Sequence, residues 1–153
     1  MPIVTQLSSA DALFVAGDNE TTYNHTADLM ILDPSEVENS DFRHFRKAAA
    51  KRVAEISQFS WRLHEVSGAL DRPYWVENPD FKPEDHIRRA AFPSPGDAQA
   101  VSEISALIFS RHLDLRKPSW KIWYIEGMEE SLRATLHLLR MPGQTTRKIL
   151  SNS

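Results

Sequence analysis

The sequence predicts an α+β fold. Stretches of helical period alternate irregularly with short apolar or alternating stretches, turn residues separate most of them, and no internal repeat or low-complexity tract runs through the chain. With 41% hydrophobic and 25% charged residues over 153 positions, the composition is that of a globular domain. A chain of this length buries roughly two-thirds of the surface it exposes when unfolded, enough for one core.

The first predicted element is a helix from Ser8 or Ser9 to about Ala16. Ser8 and Asp11 stand at capping-box spacing, and Gly17 ends the helix. Ala27-Asp28-Leu29-Met30-Ile31-Leu32 is short, mostly apolar and closed by Asp33-Pro34, which predicts a buried strand. From Asp41 onward Phe42, Phe45, Ala49, Val53 and Ile56 recur at helical spacing, leaving Arg43, Arg46, Lys47 and Lys51 for a solvated face. Tyr74-Trp75-Val76 and His86 to Ala90 read as short strands around the Asn78-Pro79-Asp80 turn. Ser94 precedes Pro95 as a capping serine precedes a first-turn proline, and Val101, Ile104, Leu107 and Ile108 then share one face, which predicts a second long helix stopping near His112. Trp120 to Ile125 alternates bulky residues with a charge, as a strand beside a core does, and Gly127 closes it. Leu132, Leu136 and Leu139 are spaced as a last helical face, stopped by Met141-Pro142-Gly143 and followed by a basic remnant to Ser153.

Charge and composition exclude several function classes. A formal net charge of -3 argues against nucleic acid as a partner, because phosphate backbones select an excess of Lys and Arg. The acids all lie in the first 130 residues, whereas Arg133, Arg140, Arg147 and Lys148 stand in a stretch without any. With no cysteine there is no disulfide, thiolate metal site or sulfur nucleophile, a composition compatible with the cytoplasm. The N-terminus has no basic region followed by a long apolar stretch, and no later run approaches the roughly 20 apolar residues of a membrane span, so neither signal peptide nor anchor is expected. His64-Glu65 begins like a zinc signature, but Gly68 stands where the second histidine belongs; no metal is expected.

Five motifs in register carry a resemblance to a known family. Leu7-Ser8-Ser9-Ala10-Asp11-Ala12-Leu13-Phe14-Val15 matches an opening LSxxDxxFL helix. Arg72 to Phe81, His86-Ile87-Arg88-Arg89 and Pro93-Ser94-Pro95-Gly96 follow in order, and Leu113-Asp114-Leu115-Arg116-Lys117-Pro118-Ser119-Trp120 leads to Ile125-Glu126-Gly127 as an LDxxxPLW strand with its closing IEG. Over residues 5–129 the chain resembles the N-terminal half of the bacterial wax ester synthase/diacylglycerol acyltransferases. The resemblance implies an incomplete N-terminal lobe of a chloramphenicol-acetyltransferase-like, two-lobed fold with a tunnel between the lobes. It also implies acyl-CoA as the substrate, with no bound cofactor, diacylglycerol or a long-chain alcohol as the acceptor, and peripheral contact with a membrane or lipid body. The division it suggests is a lobe at 1–129 and a divergent basic tail with one helix at 130–153.

Transfer of an acyl group to an alcohol needs a base, because an alcohol is scarcely ionised at neutral pH. In the family that base is the second histidine of an HHxxxDG motif reached by a strand after the IEG. Beyond Gly127 this chain reads Met128-Glu129-Glu130-Ser131-Leu132-Arg133-Ala134-Thr135-Leu136, in which neither that strand nor the pair is apparent. None of the histidines at 25, 44, 64, 86, 112 and 137 is adjacent to another or followed four residues on by aspartate. No catalytic residue is therefore assigned, and a truncated or rearranged lobe, inactive unless another chain supplies the missing half, is expected. The tail is foreign sequence or material joined on by an internal deletion.

Three residues are substrate-binding candidates through the resemblance: Pro118 and Trp120 of the PLW-like motif near the active-site floor, and His25, which matches the histidine of a PMHxG-like segment. Large aromatics on strands more often fill cores than line channels, and that reading applies to Trp61, Trp75, Trp120 and Trp123 alike. His112 beside Asp114 reads as a helix terminus rather than an acid/base pair. A rival function is a non-catalytic module that attaches to a lipid body, a membrane or a full-length homologue through exposed apolar surface and the basic tail helix.

Overall fold

The computed structural model describes residues 3–19, 21–36, 38, 40–129 and 132–140. In chain order the elements are β1 (Val4–Gln6), α1 (Ser9–Ala16), β2 (Thr26–Leu32), α2 (Phe42–Ala54), β3 (Trp61–His64), β4 (Tyr74–Glu77), β5 (Ile87–Ala91), α3 (Ala98–Phe109), β6 (Trp120–Glu126) and β7 (Arg133–Leu139). The α+β class is as the sequence predicts.

The helices begin where their caps stand. The Ser8 hydroxyl accepts from the Asp11 amide at 3.1 Å, and the Asp41 carboxylate accepts from the His44 amide at 2.8 Å, each satisfying a donor that the first helical turn leaves open. For α3 the cap is Asp97, which accepts from the Ala100 amide at 2.9 Å, not Ser94. Gly96 at φ 76 turns the chain between them, so the helix cannot start at Pro95.

Two sheets form. The smaller has the order β1-β4-β3, all antiparallel, with Leu7, Leu63 and Trp75 as its core and Ala12 and Val15 of α1 packed against them. The larger has the order β2-β7-β6-β5, antiparallel except between β6 and β5. Alternation along the strands divides its side chains between two layers. Ile125, Ala134, Leu136 and Leu138 meet Ala100 and Ile108 of α3 on one face, while Ile87, Ile122, Trp120 and Leu139 meet Ala50 and Val53 of α2 on the other.

Two expectations are corrected here. The segment read as a helix through Leu132, Leu136 and Leu139 is strand β7 over Arg133–Leu139. Ala134, Leu136 and Leu138 alternate inward, and pairing with both β2 and β6 satisfies the backbone on two sides, which outweighs one stripe of leucines at helical spacing. Residues 133–139 therefore belong to the large sheet, and the expected stop at Met141-Pro142-Gly143 and the basic remnant beyond lie outside the described residues. The second correction is β2, expected buried. It is an exposed edge strand bonded only to β7, with Leu29 and Ile31 40% and 47% exposed.

Candidate functional site

Strand register gathers the sequence-predicted residues at one end of the large sheet. Leu139 pairs with both Thr26 and Trp120, so the start of β2, the end of β7 and the start of β6 lie side by side. His25 immediately precedes β2, and buried Pro118 and Ser119 precede β6. Arg140, immediately after β7, is tied to this end by its amide, which donates to the Ser119 carbonyl at 2.9 Å.

The sheet then separates them. Trp120 faces α2, is 1% exposed, donates its indole N–H to the Phe59 carbonyl at 2.8 Å, and stacks on His86 with ring centroids 4.7 Å apart. This is a core position. His25 lies toward the end of α3, where its Nε2 donates to the Phe109 carbonyl at 2.8 Å and its Nδ1 is buried without a partner. Burial pushes its pKa down, and the bond to Phe109 only partly offsets that. Trp120 and His25 thus share a level of the sheet and do not converge on one cavity.

A charged cluster that the sequence pattern did not reveal sits beside His25. Arg140, 5% exposed, places Nη2 2.6 Å from Oδ2 of Asp18, which follows Gly17 at the end of α1. His112 meets the same oxygen through Nε2 at 3.0 Å. Burial alone would raise the Asp18 carboxyl, but the hydrogen bonds from His112 and Arg140 and the charge of Arg140 outweigh it and hold the pKa below the ordinary value. The three residues come from the ends of three elements, and no local spacing announces such a pairing. His112 accordingly pairs with Asp18 rather than Asp114, whose carboxylate is held by Arg116 at 3.0 Å. The His112 side chain is 45% exposed at an open surface rather than enclosed in a channel.

The other histidines offer no base in an enclosed channel. His44 sits on the α2 cap with Asp41, His64 is exposed on β3, and His86 is held under Trp120 by a bond from Nδ1 to the Trp120 carbonyl at 2.9 Å. His137 lies across from Asp28 in the β2–β7 register, and burial pushes its pKa down. Among the described residues no group of three or more His, Asp or Glu side chains is arranged to hold a metal ion. Between β2 and α3 runs an open apolar groove of about 280 Å³ lined by Ala27, Leu29, Ser105, Ala106, Phe109 and Leu136.

The wax ester synthase/diacylglycerol acyltransferase catalytic domain model matches residues 7–140. The chain belongs to that family. Among its relatives is the probable diacylglycerol O-acyltransferase tgs3 of Mycobacterium tuberculosis, 32% identical over 129 residues that make up 84% of this chain and 47% of the relative. A putative diacylglycerol O-acyltransferase of the same organism is 30% identical over 135 residues, 88% of this chain and 29% of that protein. The chain thus spans less than half the length of these curated relatives. The solved wax ester synthase/diacylglycerol acyltransferase of Marinobacter aquaeolei superposes with a TM-score of 0.81 at 22% identity, over 97% of this chain and 38% of that one. The tallysomycin biosynthesis protein TlmII superposes at 0.70 with 11% identity, over 97% and 37%. The family match ends at the residue after β7. A strand therefore does follow Ile125-Glu126-Gly127, contrary to the reading of residues 128–136, and the sequence after it continues with Arg140-Met141 rather than a histidine pair.

Proposed function

We propose that this chain is a one-lobe acyltransferase relative that forms one wall of an acyl channel and has no acyl transfer activity by itself. The observation that carries the proposal is the end of β7, which leads into Arg140-Met141 where the family resemblance calls for the HHxxxDG base. Arg140 is paired to Asp18 and His112 bonds the same carboxylate, so neither takes the place of the family's base, and the sequence holds no adjacent histidine pair. In this reading the substrates of the assembled site are acyl-CoA with diacylglycerol or a fatty alcohol, the open groove between β2 and α3 awaits the second wall, and a full-length relative supplies the missing lobe. Pro118 and Trp120 shape the floor from within the core, and His25 lines the end near α3. The chain itself acts in the cytoplasm, at most touching a membrane or lipid body from outside; no helix among the described residues is long and apolar enough to cross a membrane.

The test is release of coenzyme A from acyl-CoA in the presence of diacylglycerol or a long-chain alcohol. The purified chain gives no release above the uncatalysed rate. Robust release that a single histidine substitution abolishes overturns the proposal.

One observation favours a second reading, a non-catalytic module that attaches to lipid. Leu13 and Phe14 stand together on α1 at 75% and 64% exposure, and Leu70 is 88% exposed. Flotation with neutral liposomes that is lost in Leu13→Ser/Phe14→Ser supports this role; no flotation removes it.

A further inference from the structure

The α3 face of the large sheet carries a concentration of positive charge at its β5 side, the edge opposite β2 and the apolar groove. Arg88 pairs in register with Trp123 of β6, and Lys121 stands two residues before Trp123 on the same face. Arg111, just beyond α3, lays its guanidinium over the Trp123 ring at 5.6 Å from the centroid. Lys117 approaches from the preceding turn, near enough that its charge, with those of Arg88 and Arg111, acts on Lys121. We propose that Arg88, Arg111, Lys117 and Lys121, gathered around Trp123, form a binding site for a compact anion that carries two or more phosphate groups.

The cluster is four cations brought together on one face with no acid among them to neutralise the charge. Arg89 and Arg133 share Glu126, Arg116 has Asp114, and Arg140 has Asp18, whereas among the described residues none of the four forms an ion pair. Asp114 lies near enough for the Lys117 charge to act on it, but Arg116 already holds that carboxylate. Like charges brought together without a counter-ion raise the energy of the folded chain, so a polyanion that bridges them binds with a gain unavailable at isolated surface lysines. Burial and then the three neighbouring cations lower the proton affinity of half-buried Lys121, and a bound anion reverses the second of these effects.

The side-chain chemistry selects phosphate. Two guanidinium forks match tetrahedral oxyanions bidentately, and two ammonium groups add point charges at a different angle. A single carboxylate fills one fork and leaves the rest uncompensated. A long nucleic acid is disfavoured, because the cluster is confined to four residues on a chain of net charge -3. A soluble diphosphate and the headgroups of an anionic phospholipid carry the same chemistry, and the experiment separates them.

The full chain is titrated with inorganic diphosphate by calorimetry at low ionic strength. The expected result is saturable binding that weakens at least tenfold in Arg88→Gln/Lys121→Gln. It stays within twofold of the unaltered chain in Lys47→Gln/Lys51→Gln, which removes the same charge from the far face on α2. Arg111→Gln/Lys117→Gln, altered at two exposed positions, shows the same loss should the first variant fold poorly. Cosedimentation with phosphatidylglycerol vesicles, reversed by diphosphate and absent with phosphatidylcholine, assigns the headgroup as the source; diphosphate binding without it assigns a soluble ligand. No saturable binding of either probe, or an equal loss in the α2 control, overturns the proposal.

Discussion

Arg140 and Asp18 bury opposite charges where water cannot solvate either one fully, and the energy of such a pair depends on both partners staying. Arg140→Ala leaves the Asp18 carboxylate buried and is expected to cost about 3–5 kcal/mol in urea unfolding. A double variant that also carries Asp18→Asn recovers part of that loss, because no unpaired charge remains. The same carboxylate sets one limb of the pH profile. Its folded pKa is depressed, so its stabilisation is present above the unfolded value of 3.8 and disappears as pH falls through the folded value. His25, His86 and His137 set another. Burial lowers each below 6.5, so the unfolded chain takes up protons first, and stability erodes as pH drops below 6.5. Thermal unfolding is expected to show a falling midpoint from pH 7 to pH 5 and a second fall below pH 4; His137→Gln flattens the upper limb, and a midpoint constant across that interval refutes the assignment.

Among the elements, the turn into α3 is the least tolerant of change. Gly96 at φ 76 abuts Gly127 at φ 89, and a Cβ at Gly96 would overlap the Gly127 carbonyl oxygen. Gly96→Ala combines a left-handed backbone cost of roughly 1–2 kcal/mol with displacement of the β6 exit, and a loss of more than about 2 kcal/mol is expected by denaturant titration. Gly68 also has positive φ, but only the Leu70 side chain is near, so Gly68→Ala meets the backbone cost alone and is the milder variant. The helices α1, α2 and α3 were legible because capping and a 3.6-residue period act within one turn of chain. Strands β1 and β3, of three and four residues, were not, since each is too short to show alternation and is defined by its pairing with β4.

At the scale of the whole molecule, one sheet is covered by α3 and α2 on its two faces and is left bare at the β2 edge. Leu13, Phe14, Leu70, Leu107 and Phe109 are each at least 44% exposed, more apolar surface than a finished domain leaves in water. Binding of an apolar fluorescent dye at neutral pH is expected for the native chain. Leu13→Ser/Phe14→Ser is expected to reduce it without lowering the urea midpoint, since neither side chain belongs to a core cluster; an unchanged dye signal places the exposed surface elsewhere.

The sequence by itself determined the family, the α+β class, the three helices with the cap of α1, strand β6 and the missing histidine pair, because each rests on residues close together in the chain or on their order. Tertiary structure alone decided that the leucines of residues 132–139 serve a strand, that β2 is an exposed edge, that Trp120 and His25 fall on opposite faces of one sheet end, and that Asp18 finds Arg140. Those outcomes depend on which strands become neighbours and which face each side chain then takes, and a contact between distant residues leaves no periodic trace in the chain that makes it.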